Sequence, residues 1–583
     1  MPSHSPEHRP EPRRVEILDS TLRDGKQGLL PKHASLRTGN YITEAVKYSK
    51  LSSAMGVSYF DAGVAVADDG GRSKRLVEYI AREHKDDLSM SVLGFTPARE
   101  QEIAKTIESV SGAGRRGLAI LVSLSYHHMP KYMDRFPHND PETVYKHMLA
   151  EFTDRVGQAG RRKERGDIQD IHVYLEDASR MTIQELVECT RHMVSAGATS
   201  IAYPDTLGKL GYGGGVRMFR AIHEHAGQYL ENTKVAVHCH DDIGFAVPHT
   251  VGVLRAGLAD IAEVTFGGNG PGEGPGNTDG NALLYDLFPD KDDQWHEPLP
   301  PHMDVSHLHP ELLYPLNMQA SRALGRLVPE NAKIVGSNAN RKTSAGIHAT
   351  GSERSKRHKD AHSGSRQMYS MYRHDRSRFS VPDGHEFAVD RWSSQKTLLL
   401  ALRERNIPCE NLDIKHAHAN AIRIAYDTSH TLTDSMLATV AWDAMHPPEQ
   451  RRFQVDFNSF DAKREHARAS VKFSLRVNGE EHELLGNGTG ELSAFIDAMN
   501  TYFVAEVGHR VDVDFHDPFS ETAVTKEHTG RDADTYVEII LAINGDKVEG
   551  FGFDADEVIS GCRASLQALN RWYTQQPSSS STV

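Results

Sequence analysis

The apolar run LAILVSL (Leu118–Leu124) is followed along the chain by IHVYL (Ile171–Leu175), SIAY (Ser200–Tyr203) and VAVH (Val235–His238). Outward from these, the same kind of run appears at Val15–Leu18, Ser58–Phe60 and Glu263–Phe266. Longer amphipathic stretches separate the runs, which is the alternation expected of repeated βα units around a parallel sheet. Spread over roughly 270 residues, that repetition fits a (β/α)8 TIM barrel better than a small doubly wound domain. The expected fold class is therefore α/β.

A chain of 583 residues at 38% hydrophobic content is too long for one core, because single cores stop growing well below that size. The reading divides it into a disordered tail (1–14), a catalytic barrel (15–290), a helical linker or lid (291–455), a regulatory or dimerisation-like region (456–575) and a second tail (576–583). The linker contains the basic stretch GSERSKRHKDAHSGSRQMYSMYRHDRSR, which serves either as a solvated loop or at an anionic cofactor. The last region repeats itself. VKFSLRVNG (Val471–Gly479) and VEIILAING (Val537–Gly545) are alternating strands that close on Asn-Gly, a strong hairpin signal. A helix follows each, at Ser493–Phe503 and Val558–Trp572, so two ββα units sharing one core are expected.

With 66 basic against 80 acidic residues, the net charge of −14 opposes general attraction to nucleic acid or anionic membranes. Any anionic substrate must be met by a local site. The four cysteines, Cys189, Cys239, Cys409 and Cys562, have no CxxC spacing, and the N-terminal MPSHSPEHRPEPRR lacks the apolar core of a signal peptide. The expectation is a soluble cytoplasmic protein.

The first strand runs into LDSTLRDGKQG, which puts Arg23, Asp24 and Gln27 at the C-terminal rim, where barrel enzymes build their sites. A later strand ends in VHCHDDIG, where a period of two sets His238 and His240 on one face, close enough to grip one ion. The loop GGNGPGEGPGNTDGN brings Glu273 and Asn277 to the same rim, and it lacks the endings of phosphate-binding loops. Asp24, His238, His240 and the Asn277 amide oxygen form a mixed O/N set suited to divalent Mg, Mn, Zn or Co.

The ordered motifs LDSTLRDGKQG, YLEDASR, YPDTLG, VHCHDD and GEGPGN resemble the metallolyase-type barrel superfamily of 2-isopropylmalate, homocitrate and citramalate synthases and hydroxymethylglutaryl-CoA lyase. SAGIHATG around His348 is similar to the SGIH motif of the synthases, and GNGTGELSAF in the tail resembles their leucine-binding regulatory domain. The resemblance implies metal ligation by Asp24, His238, His240 and Asn277. It implies catalytic roles for Arg23, Glu176 and His348, and substrate contacts from Arg23, Gln27, Tyr174, Thr206 and Glu273. It also implies acetyl-CoA and a 2-oxo acid as substrates, a homodimer, and an amino-acid effector at the tail.

Departures from that pattern gather near the acceptor end. Gly274 stands where the family carries Arg, Asp241 where it carries Asn, Tyr174 where isopropylmalate synthases carry a small Ser, and Phe60-Asp61-Ala62-Gly63 where a Glu is usual. The expected reaction is condensation on 2-oxoisovalerate. The alternatives are a synthase with another acceptor, homocitrate-, citramalate- or phosphonomethylmalate-type; a carbon–carbon lyase; and a non-catalytic ligand sensor.

Overall fold

The computed structural model describes residues 12–27, 41–67, 69–97, 100–136, 140–289, 296–336, 342–343, 377–381, 386–428, 431–447, 450–465, 468–506, 511–513, 535–543, 546–554 and 556–575. Eight parallel strands close a barrel: β1 (Glu16–Asp19), β2 (Tyr59–Val64), β3 (Ser91–Thr96), β4 (Arg116–Val122), β5 (Asp170–Leu175), β6 (Ser200–Asp205), β7 (Lys234–Cys239) and β8 (Ile261–Val264). Closure joins β1 to β8 in the register Leu18↔Glu263. Helices α1 (Tyr41–Met55), α2 (Arg72–Glu83), α3 (Glu100–Val110), α4 (Pro141–Glu164), α5 (Ile183–Ser195), α6 (Gly214–Leu230), α7 (Ala246–Arg255) and α8 (Gly280–Leu287) follow the strands in turn. One core lies between strands and helices.

A second, smaller core takes one residue from each strand: Leu18, Tyr59, Leu93, Ala119, Tyr174, Ala202, Ala236 and Ile261. Three alanines leave room for two tyrosine rings, so the barrel is filled rather than hollow.

Strand β3 is the one the sequence reading omitted. Its SVLGFT carries Gly94 at mid-run, where a Cβ would come within 2.5 Å of Thr106 Cγ2 on α3. Close helix packing requires the glycine that weakens the strand signal. Helix α9 (Leu313–Leu324) extends this unit beyond the barrel, and Gln319 Nε2 donates to the Glu44 carbonyl on α1 at 3.0 Å.

A separate unit holds the helices and sheets from residue 384 onward. Helices α10 (Gln395–Glu404), α11 (Ile414–Thr428) and α12 (Asp434–Met445) share one core. The tail has two antiparallel three-stranded sheets, β9 (Phe453–Glu465), β10 (Arg468–Val477) and β11 (Glu480–Gly488), then β12 (Val511–Val513), β13 (Thr535–Ile543) and β14 (Asp546–Asp554). Helices α13 (Glu491–Glu506) and α14 (Glu557–Gln575) follow them and share a core with both sheets. Each repeat is thus βββα. The expected ββα units lacked the opening strands β9 and β12, one of them bulged and the other three residues long.

In both repeats a Gly-x-Gly strand lies directly under a helix. A Cβ on Gly486 would fall 2.0 Å from the Ala494 carbonyl oxygen, and one on Gly550 would fall 2.0 Å from that of Ala564. Among the described residues no helix is long and apolar enough to cross a membrane.

Candidate active site

Past β1 the chain turns sharply, because the amides of Arg23 and Asp24 both donate to the Ser20 carbonyl, at 3.1 and 2.8 Å. Buried Asp19 holds that turn by accepting from the Thr21 amide, the Tyr48 hydroxyl and the Ser52 hydroxyl. The result is to set Arg23 and Asp24 at the C-terminal mouth. There the Arg23 guanidinium meets Asp61 at 2.5 Å, Glu263 at 2.9 Å and Asp24 at 3.4 Å, and stacks over Phe95 at 4.6 Å. A buried cation among three acids is fixed in place, since losing a buried partner costs on the order of 3–5 kcal/mol.

His238 is the next-to-last residue of β7, and His240 lies just beyond the strand, bridged to Asn277 of the glycine loop. One oxygen of Asp24 and one nitrogen each of His238 and His240 lie within 4.8 Å of one another. Asn277 Nδ2 donates to Asp24 at 2.7 Å, which leaves its Oδ1 buried without a partner. Buried acceptors are rarely left unmatched. This oxygen beside a carboxylate and two imidazoles fits a divalent cation.

The electrostatics favour the same arrangement. Burial alone would discharge His238, but Glu263 at 3.0 Å from Nδ1, with Asp24 near Nε2, raises its pKa above the ordinary value. Burial would likewise protonate Glu263, yet His238 and Arg23 keep it well below the carboxylate range. For Asp61 burial wins over Arg23 and pushes the carboxyl to about 6.

A second polar group stands on the same mouth. Glu176, just past β5, meets the Ser123 hydroxyl, His128 Nδ1 at 3.3 Å and Lys131 Nζ at 3.4 Å. Burial acts to raise its pKa, but these partners, His128 foremost, lower it. The next residue, Asp177, has φ 67° and donates its amide to Thr206 Oγ1 at 2.9 Å, which locks the ends of β5 and β6 together.

A family model described as HMGL-like matches residues 14–308, over half of the chain. The chain belongs to the HMGL-like family. A model described as the LeuA allosteric (dimerisation) domain matches residues 431–573. Among curated proteins, the chain is 25% identical over 561 residues to the 2-isopropylmalate synthase of Cupriavidus pinatubonensis, covering 95% of this chain and 96% of that protein. It is 26% identical over 560 residues to that of Nitrosococcus oceani, with 95% and 96% covered. To that of Serratia proteamaculans it is 25% identical over 571 residues, with 96% and 95% covered.

The HMGL-like region holds every residue of both polar groups. Of the residues read from sequence, Arg23, Asp24, His238, His240, Asn277 and Tyr174 gather in one cluster. The Tyr174 ring lies 5.9 Å from that of His238 and 5.4 Å below the Arg23 guanidinium, with its hydroxyl buried beside Glu263. Glu176 and Thr206 form the neighbouring group. Gln27 and Glu273 are exposed on rim segments. His348, Tyr369 and Tyr372 lie outside the described residues.

Sequence reasoning missed Glu263, His128 and Lys131, and noted Asp61 only as a departure. The available signal for Glu263 was an acid inside the apolar run Ile-Ala-Glu-Val-Thr-Phe, since strands buried on both faces keep a charge only when it is paired.

Proposed function

We propose that this HMGL-like chain is an acyltransferase that condenses acetyl-CoA with a 2-oxo acid and releases CoA and a 2-alkylmalate. The first acceptor to consider is 2-oxoisovalerate, giving 2-isopropylmalate. The observation that carries the proposal is the Asp24, His238 and His240 donor set beside the clamped Arg23 guanidinium at the barrel mouth. Matches over nearly the whole chain to proteins named 2-isopropylmalate synthase support it.

Asp24, His238 and His240, with Asn277 Oδ1, would hold a divalent ion such as Mg, Mn or Zn, which when bound supplies Lewis-acid polarisation of an acceptor carbonyl. Glu263 fixes the ring of His238 through Nδ1 and aims Nε2 toward Asp24, as partners of ligating histidines do. Arg23, held still by Asp61 and Glu263, offers fixed positive charge to the oxyanion that develops at the acceptor. The hydroxyl of Thr206 is a donor for the acceptor carboxylate, and Glu176, kept ionised by His128 and Lys131, is an acceptor for a proton. His348 is assigned proton transfer. A carbon–carbon bond forms between the acetyl methyl carbon and the keto carbon, and water then cleaves the thioester.

One observation favours a different acceptor. The buried Tyr174 hydroxyl, beside Arg23 and His238, suits a polar end group such as the carboxylate of 2-oxoglutarate or the phosphonate of phosphonopyruvate. The barrel region would carry the chemistry, while the tail would serve association into a homodimer and response to an amino-acid effector, in a cytoplasmic enzyme.

The test is CoA release from acetyl-CoA with 2-oxoisovalerate, 2-oxoglutarate, pyruvate, oxaloacetate and phosphonopyruvate, with and without Mg or Mn. Release that depends on both metal and acceptor is expected. No release from metal-loaded protein with any acceptor would overturn the condensation and leave carbon–carbon cleavage as the reading.

A further inference from the structure

A cavity of about 510 Å³ opens in the tail unit where the start of β9, the β10–β11 turn and the end of α14 meet. Among its described lining residues are three arginines, Arg451, Arg452 and Arg476, and no acid. In a chain of net charge −14 that is a local reversal of sign.

The three guanidinium groups differ in how they are satisfied. Arg451 is committed, with Nη2 on Asp443 at 2.7 Å and Nε on the His446 carbonyl at 3.0 Å. Arg452 lays the face of its guanidinium 3.9 Å from the centroid of the Tyr573 ring, yet its Nε is buried with no acceptor. Burial lowers its pKa, as for a charge held without a counter-ion. Arg476 projects from β10 and is exposed. Glu481 stands opposite it in the strand register, and that carboxylate takes the Ser474 hydroxyl at 2.7 Å. The amides of Gln450, Gln454 and Asn478 complete a polar wall.

An adjoining cavity of about 710 Å³ makes the contrast clear. There Arg563 is paired with Asp554 at 3.1 Å, and Arg451 with Asp443. That cavity is lined by two acids, Asp443 and Asp554, beside its three arginines, whereas among the described residues no acid lines the smaller one.

We propose that the cavity between Arg452 and Arg476 is a binding site for a small multiply charged oxyanion, of which a phosphate group is the type. Guanidinium forks match tetrahedral and planar oxyanions through paired N–H donors. An anion here would pair with the Arg452 guanidinium and draw the exposed Arg476 side chain inward. The site lies in the tail and is independent of the chemistry proposed for the barrel.

The test is calorimetric titration of the full chain with inorganic phosphate and, separately, with the dicarboxylate malonate, each at low and moderate ionic strength. Saturable phosphate binding that weakens with salt is expected, as for a partly exposed charged site. Malonate binding at the same locus would show a general oxyanion site, and its absence a phosphate-selective one; both support the proposal. R476Q alters an exposed side chain and should preserve the fold, and it should weaken phosphate binding about tenfold; R452Q should weaken it further. No saturable binding by the wild-type chain, or binding unchanged in both variants, overturns the proposal.

Discussion

Arg23 and Glu263 are 240 positions apart and touch at 2.9 Å. That distance explains what could and could not be read at the scale of single residues. Asp24, His238 and His240 were legible because each stands in a motif whose spacing has a chemical reason. Glu263 was not, because its role exists only once β8 closes on β1. Its importance is testable through metal affinity alone. Glu263→Gln should leave the protein folded and lower affinity for Mn or Zn about 10–100-fold, the usual scale for losing the partner of a ligating histidine; unchanged affinity in a metal titration would show that His238 is oriented by something else. A second residue carries a pH signature. Burial favours protonation of Asp87, but donors from Ser53, Ser89 and His84 outweigh it and hold the carboxyl at about 2. The unfolded value is about 3.9, so Asp87 stabilises the fold above that pH and the contribution is lost as pH falls toward 2. Urea midpoints taken between pH 5 and 2.5 should fall less steeply for Asp87→Asn than for wild type, with the variant about 1–3 kcal/mol less stable at neutral pH.

At the scale of elements, the duplicated tail offers the clearest experiment. Gly486 and Gly550 occupy corresponding places beneath α13 and α14, and each would drive a Cβ into a helix carbonyl. Gly486→Ala and Gly550→Ala should therefore cost about 1–3 kcal/mol each, the scale of overpacking a close contact, read from the transition of the tail in denaturant. A loss at one position alone would mean that the repeats do not pack alike. The repeats themselves were legible, because alternating residues closing on Asn-Gly identify β10 and β13. Their first strands were not. β9 bulges between Asp456 and Asp461, which breaks the period of two on which such reading depends. Strand β3 of the barrel escaped for a related reason, since Gly94 sits where a β-branched residue would have marked the run.

For the whole molecule, separate cores imply that unfolding is not two-state. Calorimetry should resolve at least two transitions. Divalent metal at a hundred times its dissociation constant should stabilise the barrel transition by about 2.7 kcal/mol and leave the tail transition in place; metal that moved both equally would mean that the two units melt together. The charge around Arg23 bears on how such a protein meets its ligands in time. Three carboxylates face one guanidinium there, so an approaching acid is repelled until a doubly charged cation offsets the excess negative charge of the mouth. Kinetics should accordingly be ordered. For the proposed condensation the cation should arrive first and the anionic acceptor second, and raising the acceptor concentration should not rescue a shortage of metal.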